Sequence, residues 1–222
     1  MTLRRLGLIG DIHAEDEYLA AALERLAGEA VDRVLAVGDI VDGRGDVDRC
    51  VELLQHHGVQ VVRGNHDRWI VCDQMRDLHG ATVLDTLAPE TCAYLARLLV
   101  TRRYETVAGP LLLCHGLGND DMVFVYDDGR TLYENVDPDG RKGLRTRAGI
   151  GIEPDIRLLV GGHTHARMAK TFGRLTVINP GTLHFAFTPC FAVADLGEKV
   201  VQFYEIDDNA TVMESEAVRI QG

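Results

Sequence analysis

The sequence predicts an α/β fold, because short apolar runs typical of buried strands alternate with amphipathic helical segments in the first third of the chain. Residues 4–10, 32–38 and 59–64 are strand-like runs that each end in glycine. Residues 15–28 and 46–57 lie between them and have the periodicity of amphipathic helices. This β-α-β-α-β order with short links predicts parallel strands joined by right-handed crossovers.

The later part of the chain predicts a different arrangement. Residues 68–103 have a helical pattern with one break, and residues 103–114 are typical of a β-hairpin. Residues 117–155 are irregular, as expected for a loop that determines substrate choice. After His165 the pattern predicts antiparallel strands, at residues 175–178, 191–195, 200–206 and 211–219. We expect one domain over residues 1–222, since no repeat or linker divides the chain.

The composition limits the classes of function. The chain has 222 residues, of which 46% are hydrophobic and 26% are charged, as in an ordinary globular protein. Its net charge of −11 argues against strong binding to nucleic acid, which normally requires a basic excess. We therefore expect a small-molecule substrate rather than a nucleic-acid partner.

The cysteines and the apolar segments predict a cytoplasmic location. The five cysteines are widely spread and form no Cys-x-x-Cys pair, which argues against a disulfide framework and a zinc–thiolate site. Asp11 interrupts the first apolar run too early for a signal peptide, and no segment approaches the roughly 20 apolar residues of a membrane span. We expect no membrane association, and a homodimer is compatible with the sequence.

Five apolar runs each lead into a turn that carries residues able to bind a metal ion. Open α/β sheets build their sites at the carboxyl ends of strands, so these side chains are expected to meet. The seven candidate ligands are Asp11, His13, Asp39, Asn65, His115, His163 and His165. Seven oxygen and nitrogen donors suffice for two divalent cations, with Asp39 as the natural bridging carboxylate. The set indicates a dinuclear hydrolase.

The donor types indicate which metal ions to expect. Imidazole and oxygen donors without thiolate favour Mn²⁺, Fe, Zn²⁺, Co²⁺ or Ni²⁺ over Ca²⁺, and Mn²⁺ is the first choice. Two such ions about 3.5–4 Å apart provide a bridging hydroxide near neutral pH. His66, next to Asn65, is the candidate general acid for the leaving group, and Asp42 or Asp67 is expected to keep it protonated.

In their order along the chain, these motifs resemble those of the calcineurin-like metallophosphoesterase superfamily. The quoted motifs are Asp11-x-His13, Gly38-Asp39-x-x-Asp42, Gly64-Asn65-His66-Asp67, His115-Gly116 and Gly162-His163-x-His165. The later segment Asn179-Pro180-Gly181-Thr182 is similar to the small YfcE-like phosphodiesterases. The resemblance implies a β-sandwich of two mixed sheets flanked by helices.

The resemblance also implies a division of the ligands between two metal ions. The first would be held by Asp11, His13, Asp39 and His165. The second would be held by Asp39, Asn65, His115 and His163. His66 would be the catalytic histidine and Asp42 the acidic residue that pairs with it.

The chain departs from the family pattern at three positions. His66 replaces the cysteine of some YfcE-like enzymes, which favours a wider substrate range. Gly43 separates Asp42 from Arg44, so a phosphate-binding role for Arg44 is weakened, and Arg68 is an equally weak candidate. The arginine that follows Asn-Pro-Gly in YfcE-like enzymes is absent.

These observations favour hydrolysis of a phosphodiester by a hydroxide that bridges two divalent metals. A phosphomonoesterase acting on phosphoproteins or dinucleotide polyphosphates is the enzymatic alternative. The distant alternative is a non-catalytic protein-interaction scaffold, like the retromer subunit with this fold.

Three aromatic residues could stack on a base or aryl group or simply pack in loops: Phe124, Tyr126 and Tyr133. A basic cluster that is expected to be a solvated face comprises Arg141, Lys142, Arg145 and Arg147.

Overall fold

The structure, a computed structural model, describes residues 2–123, 125–126, 133–136, 142–145 and 152–221. The helices are α1 (Asp16–Ala27), α2 (Val47–His56), α3 (Asn65–Val71) and α4 (Pro89–Ala96), with one 3-10 turn at Leu84–Thr86. The first strands are β1 (Arg5–Ile9), β2 (Arg33–Ala36), β3 (Gln60–Val61), β4 (Thr101–Thr106), β5 (Gly109–Cys114), β6 (Tyr133–Val136) and β7 (Lys142–Arg145). The later strands are β8 (Leu158–Val160), β9 (Met168–Phe172), β10 (Leu175–Asn179), β11 (Cys190–Asp195), β12 (Val200–Ile206) and β13 (Val212–Arg219).

Two mixed sheets form the centre of the fold. The six-stranded sheet has the order β13-β12-β11-β1-β2-β3, and the five-stranded sheet has the order β4-β5-β8-β10-β9. In the first sheet β1, β2 and β3 are parallel and β11 is antiparallel to β1. In the second, β8 is parallel to both β5 and β10. Strands β6 and β7 pair separately as a hairpin. The predicted sandwich of two mixed sheets with helices is confirmed.

The side chains of β11 alternate between two apolar clusters, one on each face of the six-stranded sheet. On β11, Phe191 and Val193 belong to an apolar cluster with α1 and α2. Their neighbours Ala192 and Ala194 belong to a second cluster with side chains of the other sheet. Since successive residues of a strand point to opposite faces, residues 190–194 of β11 are all apolar and buried, and Asp195 is the half-buried polar residue at its end.

The helices α1 and α2 form the outer layer on the six-stranded sheet. Leu19, Leu23 and Leu26 of α1 are spaced three or four residues apart, and all are buried in the cluster facing the sheet. Helix α2 begins after Asp46, whose side chain accepts a hydrogen bond from the Arg49 amide at 3.0 Å. Within the described part of the chain, no helix combines the length and apolar content needed to cross a membrane.

The first three strands and two helices follow the predicted order, but the later part of the chain differs from the prediction at three places. Residues 117–155 were expected to be irregular, yet they contain the β6–β7 hairpin. The helical pattern predicted over residues 68–103 is realised only in α3 and α4, and one 3-10 turn is the regular structure of residues 72–88. Strand β9 was not predicted; it pairs antiparallel with β10 at an edge where its side chains are mostly half-buried, so its sequence lacks a clean alternation.

The region between β5 and β8 is described only in part. Phe124, Arg141 and Arg147 lie outside the described residues, and only the backbone is described for Tyr133, Lys142 and Arg145. The predictions for the basic cluster and for two of the three aromatic residues therefore stay predictions. Tyr126 is exposed.

Phe203 on β12 is the residue whose loss we expect to weaken the sandwich most clearly. It is fully buried in the cluster between the sheets. Phe203→Ala should lower the free energy of unfolding by about 3–5 kcal/mol, through lost burial and the cavity left behind. Urea unfolding measures this, with the exposed Val83→Ala as control. A loss below about 1 kcal/mol would contradict the central position of Phe203.

Candidate metal centre

The seven predicted ligands converge at one end of the two sheets. Asp11 and His13 follow β1, Asp39 follows β2, and Asn65 begins α3 after β3. The other three follow the second sheet, with His115 after β5 and His163 and His165 after β8. Because these strands are parallel within each sheet, their carboxyl ends share one edge, and the sandwich brings the two edges together.

Four of the ligands form a first donor group. Asp11, His13, Asp39 and His165 each offer one ligand atom, and these atoms lie within 4.8 Å of one another. The Nε2 atoms of His13 and His165 are 3.0 Å apart. The Nε2 atom of His13 is 3.9 Å from Oδ2 of Asp39. This group can hold a metal ion and corresponds to the first predicted ligand set.

A second donor group surrounds the side-chain oxygen of Asn65. Oδ1 of Asn65 lies 2.8 Å from Nε2 of His115 and 2.8 Å from Nδ1 of His163. Nε2 of His115 also lies 3.4 Å from Oδ2 of Asp39. Asp39 thus lies next to both groups, as the predicted bridging carboxylate would.

The chemistry of these contacts fits a cation. Nδ1 of His115 donates to the Val37 carbonyl oxygen at 2.9 Å, so in the neutral imidazole Nε2 carries a lone pair. That lone pair faces Asn65 Oδ1, another acceptor, and such a contact is favourable only with a proton or a cation in between. Oδ2 of Asp11 is buried and has no hydrogen-bond partner among the described residues. Both features are expected where a metal ion binds.

The raised pKa values of Asp11 and Asp39 also indicate a site for a cation. Burial raises the pKa of Asp11 to about 7 and that of Asp39 to about 8. Among the described residues, the side chains within ion-pair distance of Asp11 and Asp39 that could carry a positive charge are histidines rather than lysine or arginine. Burial also lowers the pKa of His163 and His165 to about 4, which keeps both rings neutral. The two neutral imidazoles can bind a metal ion directly, whereas a cation at this site would displace the protons that burial otherwise keeps on Asp11 and Asp39.

The backbone at the ligands adopts a conformation that most residues avoid. Asp39, His163 and His165 have φ values of 49°, 69° and 58°. Such left-handed residues cluster at functional sites, and Asp and His tolerate them better than most side chains. Gly64 is required for a different reason, since a Cβ atom there would lie 2.0 Å from Oδ1 of Asp39.

His66 lies beside the donor groups and pairs with Asp42. Nδ1 of His66 is 2.7 Å from Oδ2 of Asp42. Asp42 also receives two hydrogen bonds of 2.9 Å from the guanidinium of Arg76 and one of 2.8 Å from the amide of Thr82. Against the effect of burial, the bonds from His66, Arg76 and Thr82 lower the pKa of Asp42 to about 2. Asp42 is therefore ionised at neutral pH.

The pairing affects the charge state of His66. Burial opposes the charged imidazole, but the hydrogen bond to Asp42 and the charges of Asp39 and Asp42 raise the pKa of His66 above its usual value. Of the two carboxylates predicted to keep His66 protonated, Asp42 is the one in contact. Asp67 instead accepts the backbone amides of Gly64 and Ile40, at 2.9 and 2.8 Å, and so joins the start of α3 to the end of β2.

Replacing Asp42 tests this pairing. Asp42→Asn keeps the size of the side chain but removes the charge that holds a proton on His66. We expect turnover of an alkyl phosphoester at pH 7 to fall about 10- to 100-fold, less than the 10²–10⁴ that a whole general acid contributes. The exposed Asp208→Asn is the matched control. Unchanged turnover in Asp42→Asn would show that the pair has no part in the reaction.

The two arginines considered for phosphate binding are engaged elsewhere. Arg44 pairs with Glu15 at 3.1 Å, and Arg68 makes two hydrogen bonds to Asp121, at 2.7 and 2.9 Å. Neither is therefore free to bind a phosphoryl group without breaking an ion pair.

Sequence reasoning missed two residues of this site. Arg76 lies in the irregular segment after α3, and nothing in its local sequence indicates a link to Asp42. His184 is not among the candidate site residues predicted from the sequence, yet its ring centroid is 5.0 Å from that of His13 and 6.0 Å from that of His165. The sequence feature that could have indicated His184 is its position directly after the Asn-Pro-Gly-Thr segment. Thr182 of that segment donates a hydrogen bond from Oγ1 to the Asp11 carbonyl oxygen at 2.9 Å, which brings the segment next to the site.

The fold and the site are of the metallophosphoesterase type, with a cluster of residues that could hold a metal ion. The family model of the calcineurin-like phosphoesterase superfamily domain matches residues 5–199. The chain therefore belongs to the calcineurin-like phosphoesterase superfamily, which confirms the resemblance carried by the motifs.

Individual relatives are distant. An uncharacterized protein of Methanocaldococcus jannaschii is 30% identical over 77 residues, which are 35% of this chain and 32% of that protein. The match thus spans about a third of this relative's length. A metallophosphoesterase from Sphaerobacter thermophilus has a TM-score of 0.65 and 21% identity, covering 93% of this chain and 89% of the other. YfcE, a phosphoesterase from E. coli, has a TM-score of 0.57 and 18% identity, covering 98% and 100%. At these identities the two structures show a shared fold.

Proposed function

We propose that the protein is a dinuclear metallophosphoesterase that hydrolyses phosphodiester bonds in small substrates. The observation that carries the proposal is the pair of donor groups on either side of Asp39, with the His66–Asp42 pair beside them. Mn²⁺ is the metal we expect first, because carboxylate and amide oxygens are well represented among the donors.

In this proposal the seven ligands would hold two divalent cations, which would supply a water of lowered pKa and neutralise charge on the phosphoryl oxygens. Backbone contacts keep the ligands in place. Nδ1 of His13 and Nδ1 of His115 donate to the carbonyl oxygens of Asp42 and Val37, both at 2.9 Å, which leaves each Nε2 free for a metal ion.

His66 supplies the proton for the leaving group. Its Nδ1 is held by Asp42, so Nε2 is the atom that can donate. When the phosphorus–oxygen ester bond breaks, the proton passes from His66 to the departing oxygen, which would otherwise leave as an alkoxide. Asp42 stabilises the charged imidazole beforehand, and Arg76 holds Asp42 in place.

The proposal is tested by comparing two model esters. Hydrolysis of bis-p-nitrophenyl phosphate and p-nitrophenyl phosphate should be measured after removal of metal ions and again with added Mn²⁺. We expect turnover that depends on the metal and is faster with the diester. Faster turnover of the monoester would indicate the phosphomonoesterase instead. No turnover of either ester with Mn²⁺, Ni²⁺, Co²⁺ or Zn²⁺ would contradict the proposed activity and favour a scaffold.

A further inference from the structure

We propose that Phe187 determines specificity by stacking on the nucleobase of a nucleoside phosphoester substrate. The inference rests on the proposed function and adds a substrate class to it. It concerns the segment between Thr182 and β11, which no part of the proposed reaction uses.

Phe187 is an exposed aromatic ring directly beside the metal centre. Its ring centroid is 4.6 Å from that of the ligand His165, and the two planes are nearly perpendicular, at 84°. The residue nevertheless remains 51% exposed. The ring is therefore accessible from solvent beside the donor groups, where a bound substrate could contact it.

Hydrogen bonds fix the turn that carries Phe187. The amide of His184 donates to Thr182 Oγ1 at 3.0 Å, and the amide of Phe187 donates to the His184 carbonyl oxygen at 3.0 Å. The amide of Leu183 donates to the Asp11 carbonyl oxygen at 2.8 Å, and the Leu183 side chain is buried. The turn is therefore attached to the backbone of Asp11, a predicted metal ligand, which places Phe187 at a defined position beside the donor groups.

Phe185 has a different role in the same turn. Its ring lies parallel to that of His184, at 5.0 Å and 15°. The guanidinium carbon of Arg44 lies 4.3 Å from the Phe185 ring centroid. Phe185 thus already stacks with groups of the protein, and it supports His184. This leaves Phe187 as the ring of the turn that is placed to receive a ligand.

His184 adds a polar group to the same wall. Its Nδ1 accepts the amide of Ala186 at 3.1 Å, so the neutral ring carries its hydrogen on Nε2. The ring contacts that of Phe187 at 5.6 Å. One wall of the site therefore combines an aromatic surface with a hydrogen-bond donor, a combination that suits a nucleoside phosphate better than an aliphatic ester.

Two diesters with the same leaving group isolate the contribution of this ring. Thymidine 5′-(p-nitrophenyl phosphate) retains a base after cleavage, whereas methyl p-nitrophenyl phosphate retains only a methyl group. In Phe187→Ala we expect kcat/KM for the thymidine ester to fall about tenfold, the scale of one base stacked on an aromatic ring. The methyl ester should change less than about twofold, because it lacks a nucleobase and its p-nitrophenyl group is the leaving group in both esters.

Two further variants and a control separate stacking from simple loss of apolar surface. Phe187→Tyr keeps the ring and should retain the wild-type preference, whereas Phe187→Leu keeps an apolar side chain and should lose the preference. Met213→Ala, at a residue on β13 that is 47% exposed, should behave as wild type. Equal effects of Phe187→Ala on both esters would overturn the inference.

A binding measurement makes the inference independent of turnover. Isothermal titration calorimetry on the Mn²⁺-loaded protein should show thymidine 5′-phosphate binding about tenfold more weakly to Phe187→Ala, with methyl phosphate unchanged. If the wild-type protein cleaves neither ester, the proposed diesterase fails, but this titration still decides the role of Phe187. An unchanged Kd for thymidine 5′-phosphate would overturn the stacking role even in an active enzyme.

Discussion

Replacing Asp39 with asparagine is expected to abolish both metal binding and hydrolysis. Asp39 is the one residue shared by the two donor groups, and Asn lacks the second anionic oxygen that a bridging ligand needs. We expect a loss larger than the roughly 10- to 100-fold that follows when a group that only orients a ligand is removed. Metal content measured by mass spectrometry and turnover of bis-p-nitrophenyl phosphate should fall together.

Asparagine is chosen because it keeps the local structure. Asp39 has a φ of 49°, which Asn tolerates far better than Ala does. Its Oδ1 accepts the amide of His66 at 2.8 Å, and an asparagine oxygen can do the same. The exposed Asp85→Asn controls for the change in net charge. An Asp39→Asn protein that bound two metal ions and kept its activity would contradict the bridging role.

Replacing His66 with alanine should separate metal binding from catalysis. His66 is outside both donor groups, so metal content should stay at the wild-type level. Turnover of an alkyl phosphodiester should fall about 10²–10⁴-fold, because the alkoxide then leaves without a proton. Turnover of bis-p-nitrophenyl phosphate should fall much less, since p-nitrophenolate is a stable anion.

The dependence on the leaving group is what distinguishes a general acid from a structural residue. A histidine that only oriented Asn65 would slow both esters equally and would also lower metal content. His79→Ala is the matched control, because His79 is exposed in the segment between α3 and α4. Equal rates of alkyl-ester hydrolysis in His66→Ala and wild type would show that the assignment is wrong.

The convergence of the ligands could be predicted because it depends on rules that act locally. Each apolar run that ends in glycine predicts a strand, and consecutive β-α units make the strands parallel, so Asp11, Asp39 and Asn65 had to share an edge. The position of the ligands on the second sheet could not be predicted from these local rules alone. That His115 and His163 would meet the same edge follows from the packing of two sheets, and the motif resemblance supplied that information.

The network behind His66 could not be predicted because it depends on tertiary contacts alone. Arg76 lies 34 residues from Asp42 in an irregular segment, where neither periodicity nor a motif marks it. His184 was missed for a related reason: a lone histidine in a turn has no pattern, and only the fold brings it to His13. The left-handed φ values of His163 and His165 are likewise imposed by the surroundings rather than by residue type.

We expect two metal ions to bind, one on either side of the Asp39 carboxylate. The most direct measurement is anomalous diffraction from crystals of the protein grown with Mn²⁺. We expect two anomalous peaks about 3.5–4 Å apart, one next to His13 and His165 and the other next to Asn65, His115 and His163. A single peak, or peaks away from Asp39, would contradict the dinuclear centre and the reaction proposed for it.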